Sequence, residues 1–243
     1  FFITYAVLVV TFYMSFLIDD YRIESSFSGV VISLFFLAIM LPGFFIGRII
    51  ARLKQYVNFV SLLSIAVGLC CIGLFRDRAL IVLGALLAGL GYGAMQPVIY
   101  DKAATIAPPR SATLALSFVM SVNYLAVMVC PFIVDLFRHV FGTHSDRFPF
   151  FFNAVLVLAV LGLLLWLVYM GTPFVGKGAG KKEVTDWSFL KSTRFWLLTG
   201  LLFCQNAAEQ SVTGWMVTYF KGSGIIAGAL AAYTVTVMWG ATL

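Results

Sequence analysis

Glu209 sits inside an apolar stretch of the chain, in the run Gln205-Asn206-Ala207-Ala208-Glu209-Gln210-Ser211-Val212-Thr213-Gly214-Trp215-Met216-Val217-Thr218-Tyr219. A carboxylate in the middle of a bilayer helix costs about 3 kcal/mol on insertion scales, so it must face a cavity or a partner, or hold a proton. At about 100° per residue, Gln205, Asn206, Glu209 and Thr213 share one arc of a helix roughly 100° wide. Gln210 adds a further amide beside them. One face then offers amide, carboxylate and hydroxyl groups together, the mixture of donors and acceptors that a hydroxyl-rich ligand requires. Trp215 and Tyr219, one turn apart, suit stacking on the apolar face of a pyranose ring, and Gly214 lets the helix bend there. The same residues have a structural use as well, the amides and hydroxyl as interhelical hydrogen-bond glue and the aromatics as interface-belt residues.

Three more amides, Gln96, Asn123 and Asn153, stand in other apolar stretches and are expected to face a common central cavity; packing contacts are their alternative use. At Tyr100-Asp101-Lys102 two opposite charges close an apolar block, where they either exchange partners during a conformational change or form a solvated helix end. Asp19 and Asp20 lie only at the rim of the first block.

These groups need elements to hold them, and the composition says which kind. The 243 residues are 62% hydrophobic and 11% charged, with a mean hydropathy of +1.01, whereas soluble domains carry about a quarter charged residues. The apolar residues come in long blocks rather than in the alternation of strands or the stripe of a surface helix. A spanning helix needs roughly 20 apolar residues. Blocks of that kind run over 1–18, 27–50, 56–75, 79–100, 114–137, 148–170, 195–220 and 225–243. The expected fold class is therefore all-α, a polytopic membrane protein surrounded by lipid.

The stretch 171–194, with Gly176, Gly178 and Gly180 among Lys177, Lys181 and Lys182, disfavours a packed core and divides the chain into six helices and two. The expected organisation is an N-terminal six-helix bundle over 1–170, a Gly/Lys-rich cytoplasmic linker over 171–194, and over 195–243 the start of a second bundle. The chain begins on Phe1 and stops inside an apolar stretch at Leu243, so both ends are expected to be cut and more helices to follow.

Of the 16 Lys and Arg residues, ten (Arg48, Arg52, Lys54, Lys102, Arg110, Lys177, Lys181, Lys182, Lys191 and Arg194) fall on one side of the alternating layout. The other six are Arg22, Arg76, Arg78, Arg138, Arg147 and Lys221. By the positive-inside rule the N-terminus and the linker are expected in the cytoplasm, in a multi-pass protein of the cell membrane. The net charge of +6 is scattered through short gaps rather than gathered into a patch, which argues against a nucleic-acid partner. The four cysteines lie in apolar blocks without metal-ligand spacing. His139 and His144 cannot form a HExxH zinc site, and no GxSxG elbow is present, so neither an enzyme nor a cofactor is expected.

The six-plus-two layout resembles the major facilitator superfamily, whose members have twelve helices in two six-helix bundles with a solute site between them. After its second helix the family shows a glycine-and-basic turn, which Gly47-Arg48-Ile49-Ile50-Ala51-Arg52-Leu53-Lys54 resembles at Gly47 and Arg52, while Ala51 and Lys54 replace the family's Asp and second Gly. Gly89, Gly91 and Gly93 resemble the glycine run of the fourth helix, although Ala85 stands where the family often has arginine. Pro131 is preceded by Cys130 rather than glycine, unlike the proton-driven drug antiporters. The run around Glu209 resembles the fucose permease and glucose/galactose symporter branch.

That resemblance implies a secondary transporter working by alternating access on a small polar solute, sugar-like, with Gln205, Asn206, Glu209, Gln210, Thr213, Trp215, Asn123 and Gln96 at the solute site. It assigns Gly47, Arg52, Asp101 and Lys102 to conformational change. Coupling to H+ would run through Glu209, because the first and fourth helices lack the carboxylates of the sugar/proton symporters; Na+ coupling and facilitated diffusion remain open. A facilitator-type exporter of another metabolite or drug, and a receptor or scaffold that does not transport, are the competing readings. The full-length protein is expected to be monomeric.

Overall fold

A computed structural model describes residues 1–53, 56–170, 191–226 and 230–241, without the side chains of 109, 202, 203, 206, 207, 210, 211, 214, 221 and 232. Residues 171–190, most of the expected linker, lie outside that set. Among the described residues every long element is an α-helix: α1 (Phe2–Asp20), α2 (Ser26–Leu53), α3 (Val57–Leu74), α4 (Arg78–Ile106), α5 (Ala112–Val140), α6 (Phe148–Tyr169), α7 (Thr193–Ser223) and α8 (Ala231–Gly240), with a short 3-10 turn at Pro109–Ser111. The helices α1 to α6 are long and apolar enough to cross a bilayer. α7 is long enough, but its run of polar residues makes it less apolar than those six, and the ten residues of α8 are about 15 Å long.

The helices start and stop where local chemistry dictates. Asp77 caps α4, its carboxylate accepting from the amides of Ala79 and Leu80 at 3.1 Å each. Pro108 ends α4 by holding Ala107 extended at ψ 144°. The sequence places that end at Tyr100, but the helix continues through Asp101 and Lys102 to Ile106, because charged residues that leave the bilayer do not interrupt a helix whereas proline does. Gly224, at φ +67°, terminates α7.

α1 is the central element. From Thr4 to Ile18 every residue except Leu8 and Phe16 is buried, and α1 packs on α2, α4, α5, α6 and α7. At its far end Tyr21 donates to the carbonyls of Ile72 and Gly73 (3.2 and 3.1 Å), and Arg147 pairs with Asp20 at 3.2 Å. Arg147 also stands 4.8 Å from the Tyr21 ring centroid. Burial raises the Tyr21 phenol above its usual range, against the pull of Arg147, so it remains a neutral donor tying α1 to α3.

α4 lies between α2 and α3, and glycine makes both contacts possible. A Cβ on Gly84 would lie 2.6 Å from the Gly68 carbonyl oxygen of α3, and one on Gly91 would lie 2.6 Å from that of Ser61. On the opposite side, a Cβ on Gly89 would lie 2.5 Å from the Phe35 oxygen of α2, and Gly93 rests on Ile39. Ser64 adds a 2.7 Å hydrogen bond to the Leu87 carbonyl across the α3–α4 seam. The glycine run read from the sequence is therefore a close-packing surface, as small residues in lipid-embedded helices commonly are. Gly47 is not part of such a surface: no described atom lies within 4 Å of its Cβ position. Gly84→Ala and Gly89→Ala are each expected to lower unfolding stability in detergent by about 1–3 kcal/mol through overpacking. Gly47→Ala should leave it unchanged or slightly raised, as measured by unfolding titrations of the three variants.

Candidate functional site

The polar residues of α1, α4 and α5 meet in one place. Tyr92, Gln96 and Tyr100 recur every four residues along α4, which puts them on one face. Thr4 reaches that face from α1, and Asn123 reaches it from α5. The Tyr92 hydroxyl donates to Thr4 Oγ1 at 3.3 Å, Thr4 donates to Asn123 Oδ1 at 2.8 Å, and Asn123 Nδ2 donates to the Tyr100 oxygen at 3.1 Å. Each hydroxyl has one proton to give, so the chain runs in one direction and leaves the Tyr100 O–H uncommitted. Gln96 Oε1 is buried and has no partner among the described residues.

Beside this chain lies a cavity of about 370 Å³, lined by Thr4, Tyr92, Gln96 and Asn123 and, on its apolar walls, by residues including Phe2, Met95, Ile99 and Phe118. Among the described residues, no Asp, Glu, Lys, Arg or His side chain lines it. The residues lie in the half of α4 and α5 nearer to Asp101, Lys102 and Arg110. The site therefore offers amides, hydroxyls and aromatic walls, with no charged side chain among the described residues. A neutral molecule can satisfy all three, whereas an ion would lose its hydration there without a counter-charge.

Of the residues singled out in the sequence, Gln96 and Asn123 are brought together here. Asn153 is not: it is fully buried on α6 and donates 2.7 Å to the Pro149 carbonyl of its own helix, away from the cavity lining. Among the described residues, none from α7 lines the cavity. Glu209 is half-buried and has no ion pair with a described residue, while Gln205 is exposed. Thr213 is buried and donates 2.8 Å to the Glu209 carbonyl, one turn back in the same helix. Trp215 lies against α2, its ring carbons 2.8 Å from the Cβ position of Gly29, and Tyr219 is exposed. The side chains of Asn206 and Gln210 are outside the described residues. Arg52, Asp101 and Lys102 are exposed, and among the described residues none of the three has an ion-pair partner.

Sequence reasoning missed Thr4, Tyr92 and Asp135. The four-residue spacing from Tyr92 to Gln96 to Tyr100 was a signal that Tyr92 shares their face. Asp135 was visible as a carboxylate inside the fifth apolar block. The hydroxyl of Tyr233 on α8 donates to Asp135 Oδ2, and the Phe132 and Tyr233 rings are 4.9 Å apart.

Six helices long and apolar enough to cross a bilayer define a multi-pass α-helical membrane protein. The family profile of the Major Facilitator Superfamily matches residues 1–243, and the chain belongs to that family of membrane transporters. Neither the curated proteins nor the solved structures contain a match.

Asn123 holds α1 to α4 through two interhelical hydrogen bonds. Asn123→Ala is expected to lower unfolding stability by about 1–3 kcal/mol, the combined worth of two such bonds in a membrane protein, as measured by denaturation in detergent. Thr4→Val should cost a similar amount, because it also removes two bonds of the chain, Tyr92–Thr4 and Thr4–Asn123.

Proposed function

We propose that the protein is a secondary transporter that moves a small neutral, hydroxyl-rich solute, sugar-like, by alternating access. The observation that carries this reading is a cavity lined by the amides of Gln96 and Asn123 and the hydroxyls of Thr4 and Tyr92, with no charged side chain among the described residues. Its size, about 370 Å³, falls within the roughly 300–1,000 Å³ of small-molecule sites. Aromatic walls suit the apolar faces of a sugar ring, and the amides suit its hydroxyls.

In this reading residues 1–170 form one bundle and residues from 195 onward begin a second that rocks against it, with the linker between them on the cytoplasmic side. Gln205, Glu209 and their neighbours on α7 complete the solute path as the second bundle moves. Glu209 is the proton carrier in this reading, as the one carboxylate of α7 and a group without an ion pair among the described residues. Gly47, Arg52, Asp101 and Lys102 act at the cytoplasmic end during the exchange.

Two variants of the full-length protein in proteoliposomes test this. Gln96→Leu should reduce kcat/KM for a neutral sugar at least tenfold, because it removes the acceptor and leaves a solute hydroxyl unpaired. Glu209→Gln should abolish the pH dependence of uptake while leaving sugar counterflow in place. PH-dependent uptake that survives Glu209→Gln would remove Glu209 from the coupling step, and binding without counterflow would make the protein a receptor.

A further inference from the structure

α5 and α8 touch along their length: Tyr124 stacks on Trp239 at 5.1 Å, and toward the other end Tyr233 packs on Phe132 and donates to Asp135. This second contact joins helices on either side of the long linker through a carboxylate set in a membrane helix. Such a group needs donors in whichever arrangement the helices take. Around it are two buried donors with no partner among the described residues, the Tyr13 hydroxyl of α1 and Arg138 Nε. Tyr13 is within electrostatic reach of Asp135, Arg138 and Tyr233. Arg138 lies three residues beyond Asp135, on the same side of α5, and its guanidinium carbon is 5.3 Å from the Tyr13 ring centroid. Its Nη2 is already committed to Asp146 Oδ1 (3.2 Å) and the Ser145 carbonyl (3.1 Å).

Buried donors without partners are rare enough to require a reason. Here the reason lies in the neighbouring acceptor. We propose that Asp135 is a two-position latch: in this arrangement it binds Tyr233 of α8, and when α8 withdraws it turns to Tyr13 and Arg138 Nε within α1–α6. The two unused donors are the partners of the other state. The carboxylate is satisfied in both positions, so neither state carries the penalty of a bare charge and the two can be close in free energy. Asp135 acts as a positioning residue, since it lines no part of the solute cavity.

The inference rests on the alternating-access reading but is tested without transport. Spin labels at Phe141→Cys and Leu230→Cys, both exposed positions at the Tyr233 end of α5 and α8, report the separation of the two helices by double electron–electron resonance in the full-length protein with its native cysteines replaced. Tyr233→Phe keeps the ring and removes the donor, and should raise the ratio of separated to contacting molecules roughly tenfold or more, the worth of one hydrogen bond to a charge. Adding Tyr13→Phe removes the alternative donor and should return the ratio toward that of the unsubstituted protein. A purely structural role for either tyrosine predicts no such reversal. An unchanged distance distribution in Tyr233→Phe, or a Tyr13→Phe change that widens the separation further, would overturn the latch. Distances that respond as expected in a protein that moves no solute would refute transport and leave the latch standing.

Discussion

The rest of the bundle depends on α4 approaching two neighbours at once with almost nothing between the backbones. Gly84 and Gly91 meet the carbonyls of Gly68 and Ser61 on one side, while Gly89 and Gly93 meet Phe35 and Ile39 on the other. In lipid the hydrophobic effect does not drive helices together, so such van der Waals contact and interhelical hydrogen bonds must hold them. The glycines of α4 supply the first, and Ser64 to Leu87 supplies one of the second. With α2, α3 and α4 fixed as a layer, α1 has a surface to pack on, and its largely buried length then receives α5 and α6.

Within that frame, polar side chains fall into two groups according to whether their hydrogen bonds close. Tyr21, Asn153, Ser64 and Thr213 give their protons to nearby carbonyls and act as fasteners. Gln96, Tyr13 and Arg138 each keep a buried polar atom open. Open groups are costly in a low-dielectric interior. Others occur at Tyr5, Thr11, Asn58 and Asn153, but Gln96 stands at the cavity between α1, α4 and α5, and Tyr13 and Arg138 stand near the contact between α5 and α8, where a ligand or a moving helix would supply what is missing.

The sequence made the helices legible because a bilayer demands long apolar blocks, and each of the eight blocks overlaps one of the observed helices. The ends were less legible. α4 outruns its apolar block to Ile106 because helix termination is set by Pro108 rather than by polarity. The glycine run of α4 becomes a packing surface, whereas Gly47, another glycine matched to the family pattern, meets no described atom within 4 Å. The difference lies in what faces each residue, and that is decided by helices distant in sequence. Gln96 and Asn123 could likewise be identified as polar residues in apolar helices. Only the tertiary arrangement separates them from Asn153, which donates to its own helix and stands away from the cavity lining.

Thr213 gives one further consequence. A threonine that donates to the carbonyl four residues earlier tends to bend its helix, and here that carbonyl belongs to Glu209. The segment of α7 from Thr193 to Glu209 is about 24 Å long at the usual rise, so a change of ten degrees at this joint sweeps its free end through about 4 Å. α7 thus has the mechanics of a lever, with its fulcrum at its one carboxylate. Whatever disturbs the turn between Glu209 and Thr213 is magnified at the end where the chain leaves the linker.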